Sequence, residues 1–247
     1  MTNSELKDYL DFKAEQYNTS AFIESDPIQL PHRFTKKEDI EIVSYLISTI
    51  AWGQRPTIIK NGNRLIDIME NDPHEFILNY TSRKLDFVHR TFNAIDLDFF
   101  FRSLRNIYEN GGLEKAFSTH PEIEGIKGRI VHFRELFLET EHETRSVKHI
   151  SNPMKGSAAK RINMFLRWMV RDDKQGVDFG IWKTVPASEL YIPLDVHTSR
   201  HARNLGLIQR KQDDWKALEE LMTNLKAFDP VDPAKYDFAL FGIGAFE

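Results

Sequence analysis

Apolar residues recur along this chain at intervals of three and four and almost nowhere at intervals of two. A chain with that rhythm buries its apolar surface along helix faces rather than across a pleated sheet, so the expectation is an all-α fold. Leu6, Leu10, Ala14 and Tyr17 form one stripe. Ile40, Ile42, Val43, Leu46, Ile47 and Ile50 form a denser one that reads as a largely buried helix, with Thr35 and Glu38 in front of it at capping-box spacing. Trp215, Leu218, Leu221 or Met222, Leu225 and Phe228 make a third. Asp232-Pro233 reads as an N-cap followed by proline at the first helical position, and Gly242 as the end of the last helix.

One segment breaks the rhythm: RDDKQGVDFGIWKTVPASELYIP, residues 171–193. Its glycines and prolines argue for an extended loop, and Phe179, Trp182 and Tyr191 argue for an ordered one. The chain has 247 residues and no cysteine, which excludes a disulfide framework, a cysteine nucleophile, a thiolate zinc site and a cysteine-ligated iron–sulfur cluster. No stretch approaches the ~18 uninterrupted apolar residues of a membrane span, so a soluble cytoplasmic protein with no membrane partner is expected. None of the histidines is read as half of a helical metal-binding pair with an adjoining acid, so neither a metal nor another cofactor is expected.

Charge is unevenly distributed. The formal net charge is −4, yet Arg145, Lys148, Lys155, Lys160, Arg161, Arg167 and Arg171 follow one another with no acidic residue between them. A basic tract in an acidic chain is the footprint of a site for one polyanion, or else a solvated helix face.

Two stretches inside or next to that tract carry candidate chemistry. GSAAKRINMFLRWMVR, residues 156–171, is a small-residue turn feeding a helix with Lys160 in its first turn. IPLDVHTSRHARNLGL, residues 192–207, starts a helix at Asp195, places His197 in its first turn and closes at Gly206. A lysine at a positive helix end among other cations loses its proton more readily, and a neutral amine is a nucleophile. A nearby carboxylate can accept that proton or stabilise positive charge developing on a sugar ring. Spacing alone does not bring the two side chains together. Asp195 read without Lys160 is an ordinary helix cap.

The pair resembles the helix–hairpin–helix superfamily of DNA base-excision glycosylases, whose bifunctional members carry a pattern like Leu-Pro-Gly-Val-Gly-x-Lys followed by Val-Asp-x-His-x-x-Arg. The counterparts are Gly156-Ser157-Ala158-Ala159-Lys160 and Leu194-Asp195-Val196-His197-Thr198-Ser199-Arg200. YLISTIAWGQRPTIIKNGNRLI, from Tyr45, is similar to the family's early helix and turn, and YDFALFGIGAF, from Tyr236, is weakly similar to a later one. Ala158 stands where the second hairpin glycine is usual, and the connection from Lys160 to Asp195 is long. The long connection and the missing iron–sulfur cysteines are similar to the archaeal 8-oxoguanine glycosylase branch, and to a bacterial family with no assigned function.

The resemblance implies a two-part helical fold with a helix–hairpin–helix and a cleft between the halves. A central barrel over 36–171 and a second domain from 1–35 plus 172–247 are expected. It implies a monomeric DNA glycosylase and abasic-site lyase that acts on double-stranded DNA containing a damaged base, an oxidised purine among the candidates. Lys160 is the implied nucleophile and Asp195 its partner; Gln54 and Arg55 fill the gap left by the extruded nucleotide, and Gly156, Ser157, Ala158 and His197 contact the backbone. Phe179 and Trp182, on the loop, are candidates for stacking an extruded base. Two other readings stay open: a noncatalytic helix–hairpin–helix nucleic-acid-binding module, and a small-molecule enzyme on a helical scaffold.

Overall fold

The three- and four-residue apolar spacing is realised as helices almost throughout. In the computed structural model, which describes residues 1–246, these are α1 (Asn3–Tyr17), α2 (Ser20–Ser25), α3 (Lys37–Ile50), α4 (Arg55–Ile68), α5 (Pro73–Leu78), α6 (Ala94–Glu109), α7 (Leu113–Ala116), α8 (Gly125–Leu138), α9 (Lys160–Val170), α10 (Val196–Asn204), α11 (Trp215–Phe228) and α12 (Tyr236–Phe246). The fold is all-α, with a single two-stranded hairpin, β1 (Val88–His89) and β2 (Phe92–Asn93), paired antiparallel with His89 opposite Phe92. The chain forms two compact units: Asp26–Ser151, and Met1–Ser25 with the chain from Asn152 onward.

In the central unit, α3 is apolar on nearly every side and accordingly buried from Asp39 to Ile50. Its Tyr45 packs against Phe100, Phe133 and Phe137, and Phe99 against Phe100, with Phe100 and Phe137 4.9 Å apart between centroids. The expected Thr35–Glu38 capping box does not form. The helix starts one residue later than that box requires, with Lys36 as an N-cap that makes no side-chain hydrogen bond. Asp39 accepts the His74 amide at 2.8 Å instead, tying the first turn of α3 to α5. Asn93 and Asp96 do make a full capping box at α6. The buried Asp96 also accepts from Ser146 Oγ at 2.6 Å and from Arg145, which anchors the 3-10 segment Thr144–His149.

In the terminal unit, α12 packs against α1 and α10. Leu6, Leu10 and Ala14 are buried along the expected stripe of α1, as are Trp215, Leu218, Leu221, Met222 and Leu225 along that of α11. Gly242 does not end the last helix, which runs through it. Its lack of a side chain serves packing: a Cβ there would stand 2.1 Å from the Tyr17 ring. Asp232 does not cap with its side chain either; its carboxylate accepts from Arg171 Nε at 2.9 Å, and Pro233 opens a 3-10 turn.

The division of the chain falls earlier than the pattern suggested, at Ser151 rather than Arg171, and residues 26–35 join the central unit. The reason is the way α9 is covered. The loop that follows it folds back so that Phe179 N–H donates to the Trp168 carbonyl at 2.8 Å and Trp182 N–H to the Met169 carbonyl at 2.9 Å, with the Trp182 ring edge-on to Phe165. The helix is thereby packed into the same unit as the loop and α12.

Gly242→Ala tests the close approach of α12 to α1. Alanine is the better helix former by about 1 kcal/mol, but the added methyl overpacks against Tyr17, so a net loss of about 1–2 kcal/mol is expected in urea denaturation, with earlier proteolytic release of α1.

Candidate functional site

The turn before α9 is built from local hydrogen bonds. Asn152 Oδ1 accepts the Met154 amide at 2.9 Å and so caps a single 3-10 turn, Pro153–Lys155. Gly156 follows in the left-handed region at φ 87°, where a glycine carries no Cβ penalty. Ser157 Oγ accepts the Ala159 amide at 3.2 Å, and Asn163 Nδ2 donates to the Ala158 carbonyl at 3.0 Å. The second left-handed residue is Ala159 at φ 48°, not Ala158, so alanine in place of the usual glycine at 158 causes no backbone strain. From outside, Trp215 N–H donates to the Gly156 carbonyl at 2.9 Å. Gly156 and Ser157 are exposed, and Ala158 is buried.

Lys160 is the first residue of α9, and its Nζ lies 3.3 Å from Asp195 Oδ2. Asp195 also caps α10: its Oδ1 accepts the Thr198 amide at 2.8 Å. The two oxygens of one carboxylate therefore serve the helix and the amine separately. Burial opposes the charge on Asp195, but the Lys160 ammonium and the Thr198 amide outweigh it and hold the carboxyl below its ordinary value. His197 and Arg200 are exposed on α10, three residues apart and hence on one face. Gly206, at φ 75°, follows the helix end as expected.

Behind this pair lies a group of charges that the sequence did not reveal. Lys160, Arg167 and Arg171 fall on one stripe of α9, and the latter two are buried. Arg167 Nε donates to Asp178 at 3.2 Å, its Nη1 donates to Asp237 of α12, and its guanidinium stacks 4.3 Å from the Phe238 ring centroid. Arg171 donates to Asp173 at 2.7 Å, to Asp178 at 3.2 Å and to Asp232. Burial pushes the Asp237 carboxyl up to about 6; Arg167 opposes the rise and the like charges of Asp195 and Asp178 add to it. Burial likewise raises Asp178, against the pull of Arg167 and Arg171. The basic tract is therefore not unopposed. Arg145, Arg167 and Arg171 are neutralised internally, whereas Lys148 and Lys155 are exposed. The usable signal was the acidic content of the loop after α9, where Asp173 and Asp178 follow Arg167 and Arg171 closely enough to fold back onto them.

The other candidates divide between the units. Lys160, Asp195, Gly156, Ser157, Ala158 and His197 belong to the terminal unit, and Gln54 and Arg55 to the central one. Gln54 is the exposed N-cap residue of α4, preceded by Gly53 at φ 107°, and makes no side-chain cap. Trp182 corrects an expectation: at 1% exposure, with its ring on Phe165, it is a core residue and not a free stacking platform. An indole on a loop was as able to fill the core as to face solvent, and the two backbone bonds to α9 turn it inward. Phe179 is half-buried. His197 and His201 stand one turn apart on α10, contrary to the expectation of no helical histidine pair near an acid. Among the described residues, no group of three or more histidines and acids is arranged to hold a metal ion, and no helix is long and apolar enough to cross a membrane.

Fold and site together define an all-helical protein with a lysine–aspartate pair held between the starts of two helices. Over residues 26–246 the chain matches the family described as Protein of unknown function (DUF2400), and it belongs to that family. No curated protein and no solved structure matches it.

The raised carboxyl of Asp237 carries a stability consequence with a definite sign. An acid whose folded pKa lies above its unfolded value near 3.8 stabilises the fold fully only below that value, and the contribution is lost as pH rises to about 6. The stability of the native chain relative to Asp237→Asn should therefore fall between about pH 4 and 6 by up to ~3 kcal/mol, read from urea denaturation at each pH.

Proposed function

We propose that this protein is a DNA glycosylase with abasic-site lyase activity, working as a monomer on double-stranded DNA in the cytoplasm, with an oxidised purine as the leading candidate base. The observation that carries this reading is the 3.3 Å approach of Lys160 Nζ to Asp195 Oδ2, beside a turn with exposed Gly156 and Ser157. Proton transfer needs hydrogen-bond reach, and that distance provides it. The resemblance to the helix–hairpin–helix glycosylases, carried by the same residues, supplies the substrate class.

In this reading the damaged nucleotide leaves the stack, because its C1′ cannot be reached inside the duplex. Asp195, charged, stabilises the oxocarbenium-like sugar as the glycosidic C1′–N bond breaks, and the base departs with the bonding pair and takes up a proton. Lys160 Nζ gives its proton to Asp195 and forms the new bond to C1′. Ring opening with protonation of O4′ yields the C1′=N Schiff base. Loss of a C2′ proton then expels the 3′ phosphate by β-elimination, and water releases Lys160. Gly156, Ser157, His197 and Arg200 are assigned in this reading to phosphate oxygens of the bound strand, and the resemblance assigns Gln54 and Arg55 to the gap left by the extruded nucleotide.

Borohydride reduces the C=N bond and freezes the adduct. A covalent protein–DNA complex is expected with at least one duplex from a panel of oxidised, alkylated and deaminated bases. It should vanish in Lys160→Gln and form at least ~10²-fold more slowly in Asp195→Asn. Salt-sensitive duplex binding with no adduct on any lesion would favour the noncatalytic module, and no duplex binding at any salt would favour a small-molecule enzyme.

A further inference from the structure

Among the described residues of the central unit, Glu70, Asn71 and Arg90 are the non-glycine residues with a left-handed backbone, and the last of them stands at the tip of the hairpin. The hairpin β1–β2 turns through Arg90 and Thr91, and Arg90 has a left-handed backbone at φ 55°. Two-residue hairpin turns use glycine, asparagine or aspartate where φ is positive, and an arginine there is strained. Such an outlier is a pointer to function.

The surroundings make the strained position a rigid one. His89, next to it, is 1% exposed. It accepts from Asn61 Nδ2 at 2.8 Å and donates Nε2–H to the Trp52 carbonyl at 3.1 Å, so the hairpin is bonded to the segment that leaves α3. The Trp52 ring meets the His89 ring edge-on at 5.0 Å and stacks on His149 at 6.2 Å. On the far side of the turn, Arg145 Nη2 donates to the Thr91 carbonyl at 3.1 Å. The Arg90 side chain lies across Gly53, where a Cβ would meet Nη1 at 2.9 Å, one residue before the exposed Gln54 and two before Arg55. Among the described residues no carboxylate pairs with Arg90, which is exposed, whereas Arg145, Arg167 and Arg171 are each committed to an aspartate. An exposed guanidinium carried on a rigid turn without an internal counter-ion is open to an external anion with hydrogen-bond acceptors on adjacent oxygens, such as a phosphodiester.

We propose that the Val88–Asn93 hairpin is a second nucleic-acid contact, with the Arg90 guanidinium binding a backbone phosphate of duplex DNA beside Gly53-Gln54-Arg55. This rests on the reading of the protein as a DNA-binding enzyme, but on none of the residues of the lysine–aspartate pair. It gives the central unit a grip on the duplex that needs no base sequence, since phosphate contacts position without specifying.

The test exploits the strain. Arg90→Gly removes the guanidinium and relieves the left-handed backbone, so its melting temperature should equal or exceed that of the native chain while its affinity for an undamaged labelled duplex falls by roughly three- to tenfold at ~50 mM salt. The slope of log affinity against log salt should shrink by about one, the signature of one lost phosphate contact, and Arg90→Lys should keep most of that slope. Equal affinity and slope for Arg90→Gly and the native chain would overturn the inference while leaving the borohydride adduct at Lys160 untouched. A loss of affinity that Arg90→Lys shares in full would overturn the phosphate role as well. If the native chain shows no salt-dependent duplex binding, the DNA reading itself falls, and the borohydride assay shows that separately.

Discussion

The carboxylate of Asp195 holds two partners at once, and the arrangement of the terminal unit around α9 and α10 depends on it. One oxygen accepts the Thr198 amide and starts α10; the other faces the Lys160 ammonium at the start of α9. As contributions to stability both are modest, about 1 kcal/mol for a cap and less for an ion pair with a part-exposed lysine. Their weight is positional. A helix start fixes the direction of a short side chain better than a loop does, and a second partner on the other oxygen fixes its rotation.

Beneath that pair the stripe of α9 continues into buried charge. Burying an ion costs several kcal/mol unless it is paired and fully hydrogen-bonded, and Arg167 and Arg171 meet the condition by sharing Asp178 and adding Asp237, Asp173 and Asp232. Those contacts come from the loop after α9, from the turn before α12 and from α12 itself. This explains why a segment without regular structure, residues 171–193, is ordered: arginine–aspartate pairs, two backbone bonds and the Trp182 ring pin it to the helix it follows.

What could be read from the sequence was local. Helix stripes are legible because burial repeats every three or four residues, and the Asp195 cap and the Gly206 end are legible because caps are settled within a few residues. The failures share a cause. Gly242 signalled a helix end, but its meaning depends on Tyr17 at the other end of the chain. Asp232 signalled a cap, but Arg171 claims its carboxylate. Arg167 reads as a surface cation until Asp237, seventy residues away, is beside it. The hairpin strands, two residues each, are too short to show a period of two. The approach of Lys160 to Asp195 was not deducible from spacing at all; only the resemblance suggested it.

The partnership of α1 with α12 has a consequence for how the chain comes to be folded. Residues 18–235 separate the two helices, so the face of α1 that carries Leu6, Leu10 and Ala14 is covered only when a contact across that span forms. Residues 26–151 form a continuous unit that needs no contact across that span. Closure of the terminal unit thus carries the larger loop-closure cost and is expected to be the slower of the two folding steps.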